Sequence, residues 1–81
     1  MPDLSRFHEQ AREDIRNLIE EARTAGEIAD DIDPEHFALH FTSTMFGVSY
    51  QWVVNPEAVD IYPFIEDVRK QMLLILRPTG Q

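Results

Sequence analysis

The chain has 81 residues, no cysteine, and fifteen acidic residues against seven basic ones, which gives a formal net charge of −8 at pH 7. This charge repels nucleic acid and anionic membranes at long range and argues against direct nucleic-acid contact by this chain. A chain this short hides only about 60 to 65% of the surface that its unfolded form exposes. Neither disulfides nor a Cys/His zinc site can reinforce it, so the composition indicates oligomerisation as the remaining source of stability.

No segment is predicted to enter a membrane. The longest apolar runs, residues 46–48 and 72–76, are far too short to span a bilayer, and the acidic, amphipathic start does not resemble a signal peptide. The absence of cysteine fits a reducing compartment. We therefore expect a soluble protein of the cytoplasm.

The first segment predicts a helix over about residues 4–25. Asp3 or Ser5 can cap its start, and Gly26 is a natural left-handed position at its end. Its apolar residues recur at three- and four-residue steps, which is typical of one apolar helical stripe: Leu4, Phe7, Ala11, Ile15, Leu18, Ala22 and Ala25. The other faces are interpreted as solvated, with three predicted ion pairs three residues apart: Glu9 with Arg12, Glu13 with Arg16, and Glu20 with Arg23.

A short acidic connection leads into the second helix, predicted over residues 34–54. Ile28 and Ile32 are the apolar residues of this connection, and we expect them to pack under the domain. Asp33 followed by Pro34 is a strong helix start, because the carboxylate accepts a backbone N–H bond and proline at the first position loses no bond. The helix should end before the Asn-Pro dipeptide at residues 55–56.

Apolar side chains cover more than half of the circumference of the second helix, so we expect this helix to be buried on two sides. The remaining strip is small or polar: His40, Ser43, Thr44, Gly47 and Gln51. Gly47 costs a helix roughly 1 kcal/mol relative to alanine. Close packing across a dimer could compensate for this cost, and we prefer that interpretation to a ligand groove.

The third helix is predicted over residues 60–76. Its apolar stripe contains Ile61, Phe64, Ile65, Val68, Met72, Ile75 and Leu76. The chain has no strand-like alternation, which predicts an all-α fold made of one three-helix antiparallel unit. The end of the chain, from Thr79 onward, is expected to fray.

No arrangement of residues indicates catalysis, so we predict that the protein is not an enzyme and has no cofactor. There is no nucleophilic cysteine, no glycine-rich loop and no serine with an evident base. His36 and His40 lie four residues apart and could share a metal on one helical face. A convincing third ligand is lacking, so no metal site is predicted.

Aromatic residues at helical spacing in the second helix are most often plain core. A minority of such residues could instead line an apolar pocket for a small effector. The candidates for this pocket are Phe41, Met45, Phe46 and Trp52.

The order of these signals resembles the C-terminal regulatory part of TetR-family transcriptional regulators, over about residues 4–78. The resemblance rests on five features in sequence order: the helix end at residues 23–28, the acidic link at residues 31–35, Ala38 with Gly47, the Tyr-Gln-Trp run at residues 50–52, and the final apolar helix at residues 61–76.

The resemblance implies an all-helical domain whose last two helices form a four-helix bundle with the same helices of a second subunit. In such regulators an N-terminal helix-turn-helix binds an operator, and a small molecule in the C-terminal domain changes the spacing of the DNA-binding heads. This chain departs from the pattern, because it has no helix-turn-helix and lacks the middle helices that usually complete the pocket. We expect residues 1–81 to be a single helical domain that carries dimerisation and part of an effector site.

The homodimer hypothesis places the stripe of the third helix and one side of the second helix in the subunit interface. The predicted interface residues are Ser43, Gly47, Tyr50, Ile61, Phe64, Ile65, Val68, Met72 and Ile75. A second hypothesis is a small acidic helical protein–protein interaction module that binds no ligand and meets a basic partner with its charged first helix.

Overall fold

The computed structural model describes residues 4–79. In this range it contains three helices and no strand: α1 (Leu4–Thr24), α2 (Pro34–Val54) and α3 (Ile61–Leu76). The predicted all-helical, three-helix architecture is thereby confirmed. No helix in the described part of the chain is long and apolar enough to cross a membrane.

Helix α2 begins at the predicted Asp-Pro signal. The Asp33 carboxylate accepts hydrogen bonds from the backbone N–H groups of Glu35, at 3.0 Å, and His36, at 3.3 Å. Pro34 follows as the first helical residue, where its missing N–H removes no helical bond. The start of α2 is therefore determined by residues that lie next to each other in the sequence.

Helix α1 ends in a left-handed turn at Gly26, whose φ is 72°. The N–H of Gly26 donates to the carbonyl of Arg23 at 3.0 Å, and the N–H of Glu27 donates to that of Ala22 at 2.9 Å. These two bonds are the Schellman pattern, which satisfies carbonyls that the helix end leaves open. At the other end of α1, the predicted alternative cap Asp3 lies outside the described residues.

The three helices lie side by side with α2 in the middle. The backbone of α2 approaches both neighbours, whereas no Cα atoms of α1 and α3 come within 8 Å of each other in the described range. Neighbouring helices run antiparallel, so that Phe7 near the start of α1 meets Phe46 in the second half of α2. The molecule measures 40 × 30 × 13 Å, which describes a thin slab.

The core occupies one end of this slab, where α1 ends, α2 begins and α3 ends. We call this region the closed end. Its buried apolar residues form one cluster: Ile28, Ile32, Phe37, Val68 and Met72. Ile15, Ile19 and Ala22 of α1 pack against that cluster. The prediction that the two isoleucines of the connection pack under the domain is confirmed, since each is 8% exposed.

The chain after α3 is tied to the α1–α2 connection. The N–H of Thr79 donates to the carbonyl of Glu27 at 2.8 Å, and its hydroxyl donates to the carbonyl of Gly26 at 2.7 Å. The prediction of a frayed end is therefore wrong for Thr79, because long-range backbone bonds hold it in place. Gly80 and Gln81 lie outside the described residues.

The end of α3 adds two further links to the same connection. Ala29 donates its N–H to the carbonyl of Leu76 at 2.9 Å. Arg77 adopts a left-handed backbone with φ 48° and forms an ion pair with Asp31. Backbone bonds and an ion pair thus fasten the closed end in addition to its apolar packing.

The opposite end of the slab, which we call the open end, contains the start of α1, the last turns of α2 and the start of α3. Large apolar side chains that are at least 38% exposed gather there: Leu4, Phe7, Tyr50, Trp52, Val53, Val54, Tyr62, Phe64 and Ile65. The chain as a whole exposes 6263 Å², whereas a compact monomer of 9.4 kDa exposes about 5,000 Å². Its radius of gyration is 14.4 Å, against about 12 Å for a compact domain of this length.

Candidate functional site

An uncovered surface runs along the line where α2 and α3 meet. The small-residue strip of α2 is exposed apart from half-buried Thr44, and it borders a groove of about 470 Å³ whose other wall includes Val59 and Phe64. Phe64 and Ile75, each 41% exposed, continue this surface along α3. We call this surface the seam, and it comprises His40, Ser43, Thr44, Gly47, Gln51, Phe64 and Ile75.

Gly47 lies in the floor of the seam, and there is open space where its side chain would be. A Cβ atom built on Gly47 has no other heavy atom within 4 Å, so packing inside this chain does not require glycine there. The helix nevertheless has the conformational cost that glycine carries in a helix interior. Any need for a small residue at this position must therefore come from a molecule outside this chain.

The predicted interface residues do not form one surface. Ser43, Gly47 and Tyr50 share the exposed side of α2, and Phe64 and Ile75 adjoin that side from α3. Ile65 lies on the opposite flank of the α3 stripe, and half-buried Ile61 lies in line with Val68 and Met72, which are 5% and 6% exposed in the core. Because this chain already covers Val68 and Met72, neither is free to meet a second subunit.

The four predicted pocket residues are also divided between two places. Phe41 and Met45 pack against the core cluster, and the ring of Phe41 lies nearly parallel to that of Phe37 at 6.3 Å. Trp52 is on the same side of α2, toward the open end, and is 44% exposed. Phe46 belongs to a different contact, so the structure does not bring the four side chains together around one cavity.

Phe46 joins α2 to the start of α1. Its ring centroid lies 4.4 Å from that of His8, in a stacked arrangement, and 5.8 Å from that of Phe7. Phe7 remains 60% exposed. This aromatic contact joins the start of α1 to the second half of α2.

His36 and His40 are both exposed on α2. In the range 4–79, no three His, Asp or Glu side chains are placed so that they could hold a metal ion. His8, the remaining histidine, is engaged with the Phe46 ring on the far half of α2. The three histidines therefore do not converge on one site.

A second concave surface lies between α1 and the first half of α2. This α1–α2 cleft has a volume of about 340 Å³. Arg12 and Arg16 are half-buried on its α1 side, and buried Ala38 and exposed Leu39 lie on its α2 side. Only a weak sequence signal points to this site: the two arginines lie four residues apart at the edge of the apolar stripe of α1.

Two of the three ion pairs predicted along α1, Glu9 with Arg12 and Glu13 with Arg16, do not form within the described residues. Glu20 and Arg23 do pair, at 2.8 Å. On α3, Arg69 pairs with Glu66 at 2.7 Å, and its hydrogen bond and positive charge lower the pKa of the Glu66 carboxyl below its usual value. Glu66 is exposed on the solvent side of α3, so this pair belongs to neither concave surface.

Comparison with known proteins adds no relative to this description. No protein-family model, no curated protein and no solved structure matches the chain. The seam and the α1–α2 cleft must therefore be interpreted from their own geometry and chemistry.

Proposed function

We propose that this chain is the dimerisation and effector-sensing C-terminal domain of a TetR-like transcriptional regulator. In this proposal, a small molecule bound to the domain is coupled to DNA release by an N-terminal domain that is not in this chain. The ordered sequence signals and the three-helix fold support the proposal. Its main support is the uncovered seam, on a chain that exposes more surface area than a compact monomer of the same mass.

The exposed area matches what a dimer would cover. The chain exposes about 1,200 Å² more than a compact monomer of its mass would. A standard interface covers about 800 Å² per partner, and obligate homodimers cover about 1,000 Å² or more. A second copy of this chain, seated on the seam, would account for an excess of this size.

The shape of the seam suits a symmetric partner. Ser43 and Gly47 lie one helical turn apart and leave a depression in which a second helix can approach closely. Phe64 and Ile75 stand beside this depression and would pack against the partner. A twofold axis through the seam would bury the same residues on both subunits and build a four-helix bundle from two α2 and two α3 helices.

The packing of α1 suggests how effector binding is coupled to the DNA-binding domain. Helix α1 packs along α2 and contributes to the core at the closed end, but its backbone does not approach α3 in the described range. A ligand that binds between α1 and α2 would favour one angle of α1 against the dimeric bundle. Such a ligand shifts the equilibrium only as far as its affinity differs between the two angles.

The interface can be tested with a charge placed on the seam. Phe64→Glu should weaken self-association at least 100-fold, because a carboxylate buried without a partner costs several kcal/mol. Leu74→Glu is the matched control, since Leu74 is 76% exposed and lies away from the seam. Sedimentation equilibrium measures the association, and circular dichroism checks that both variants keep their helices.

If Phe64→Glu and Leu74→Glu associate as strongly as the unaltered chain, the seam is not the interface. A chain that stays a folded monomer in all three forms would instead fit the acidic interaction module. That outcome would contradict the dimerisation on which the regulatory proposal rests.

A further inference from the structure

The α1–α2 cleft is lined by both arginines and carboxylates, and its arginines are the more buried of the two. Arg12 and Arg16 are half-buried along the α1 side, whereas Glu9, Glu13 and Glu35 are exposed around the same cleft. In a chain with a net charge of −8, the carboxylates would be expected to pair with these cations. Both arginines line the cleft, where their guanidinium groups can meet a ligand.

Among residues 4–79, neither cleft arginine has a carboxylate partner. Arg12 makes no ion pair or hydrogen bond within the described residues, and Arg16 donates only to the neutral side-chain oxygen of Asn17, at 2.6 Å. By contrast, Arg23 and Arg69 are each paired with a glutamate one helical turn away. Partners at the same spacing, Glu9 and Glu13, are present beside Arg12 and Arg16 but are not engaged.

The α2 wall of the cleft combines exposed Glu35 and His36 with an apolar part. Ala38 is 1% exposed and forms part of the α2 surface under the arginines, while Leu39 is 50% exposed and borders the cleft. The cleft volume of about 340 Å³ falls at the lower end of the range typical of small-molecule sites. A fitting ligand therefore combines one anionic group with a short apolar body.

We propose that the α1–α2 cleft binds a small organic carboxylate that has an apolar body, with Arg12 and Arg16 holding the carboxylate and Leu39 contacting the apolar part. A planar carboxylate can accept two parallel N–H bonds from a guanidinium group. The three glutamates around the cleft repel an anion of higher charge more strongly than a monoanion, so a monoanion binds in preference to a phosphate. This occupant would be the effector in the proposed function, but its binding depends only on the cleft and is measured separately from dimerisation.

Isothermal titration calorimetry with octanoate, octanol and inorganic phosphate tests the class of ligand. Octanoate should bind at least tenfold more tightly than either of the other two, because only octanoate combines one negative charge with an apolar chain. Equal affinity for octanol would show that the arginines do not recognise the carboxylate. Equal or tighter binding of phosphate, or no binding of octanoate, would also overturn the proposal.

Variants then locate the binding site. Arg12→Gln and Arg16→Gln should each weaken octanoate binding at least tenfold, since each removes charge-assisted hydrogen bonds. Arg69→Gln removes a cation from α3, outside the cleft, and should leave binding unchanged. If Arg69→Gln weakens binding as much as the cleft variants do, the octanoate is held by general charge attraction and the proposed site is wrong.

A fourth variant keeps the test valid if an arginine substitution disturbs folding. Leu39→Glu adds a carboxylate at an exposed position of the cleft wall, and it should weaken octanoate binding at least tenfold while the helix content stays the same. Unchanged binding in a folded Leu39→Glu chain would contradict the proposed site. Sedimentation of the same variants reports on dimerisation, so failure of the cleft proposal is distinguishable from failure of the dimer.

Discussion

The two ends of the helical slab contain similar side chains in different environments. At the closed end, Phe37, Val68 and Met72 are less than a tenth exposed, and the chain after α3 is bonded to the α1–α2 connection. At the open end, Tyr62 is 81% and Trp52 44% exposed. Three helices in one layer enclose a core only where a connecting segment also covers them. At the open end no such segment among residues 4–79 covers the helices, so the apolar residues there stay exposed.

This contrast teaches that hydrophobicity alone does not locate the core of a small domain. The stripe of α3 is apolar along its full length. Only two of its residues, Val68 and Met72, are buried, and the residues on both sides of them are partly exposed. A chain of this size has too little material to cover every apolar face. The faces that it leaves open are the ones available to a partner.

The largest expected effect is a difference in the free energy of unfolding lost on substitution at the two ends. Phe37→Ala should lower the free energy of unfolding by about 3 to 5 kcal/mol, because it opens a cavity in the only buried cluster of the described chain. Tyr62→Ala should change it by less than about 0.5 kcal/mol, since an exposed surface substitution has little to lose. Urea unfolding followed by circular dichroism, in the Phe64→Glu background, measures both without a contribution from association. Equal losses would erase the distinction between the two ends.

The two internal glycines should respond with opposite signs. Gly26→Ala should destabilise the fold by about 1 kcal/mol, because its φ of 72° is unfavourable for any residue with a Cβ. Gly47→Ala should stabilise the same monomeric background by about 0.5 to 1 kcal/mol, because a Cβ there meets nothing and alanine favours helix.

In the chain that retains Phe64, the larger Gly47→Leu substitution should weaken association while leaving helix content intact. If Gly47→Leu lowers helix content and does not affect association, the glycine is a tolerated defect and not a packing position. Thermal unfolding and sedimentation of the same samples separate these two outcomes.

The two aspartates that precede helices offer a finer comparison. Asp33 at the closed end accepts two backbone hydrogen bonds, whereas Asp60, at the start of α3, makes no such bond. Asp33→Ala should therefore cost about 1 kcal/mol, as loss of a helix cap usually does, and Asp60→Ala only a few tenths. Both values come from urea unfolding at pH 7. A larger loss for Asp60 would mean that the start of α3 is held differently from the described geometry.

The sequence predicts the helices well because their ends depend on neighbouring residues. Asp33 followed by Pro34 starts α2, and Gly26 closes α1 through bonds that span only a few residues. The connection isoleucines were also predictable, since they are the apolar residues of an acidic segment. Each of these features needs no knowledge of where the other helices lie.

Which apolar residues of a helix are buried depends on where the neighbouring helices lie, so this division cannot be predicted from the helix alone. For α3, no local signal distinguishes buried Val68 from exposed Phe64. For α2, Phe41 and Phe46 look alike in sequence, but one packs against the core and the other against α1.

The central claim is that a second copy of the chain covers the seam, and sedimentation equilibrium at micromolar concentration tests it most directly. We expect a species with twice the 9.4 kDa mass of the chain, which dissociates in the Phe64→Glu variant. A well-folded species of 9.4 kDa for the unaltered chain, with full helix content at the same concentration, would contradict it.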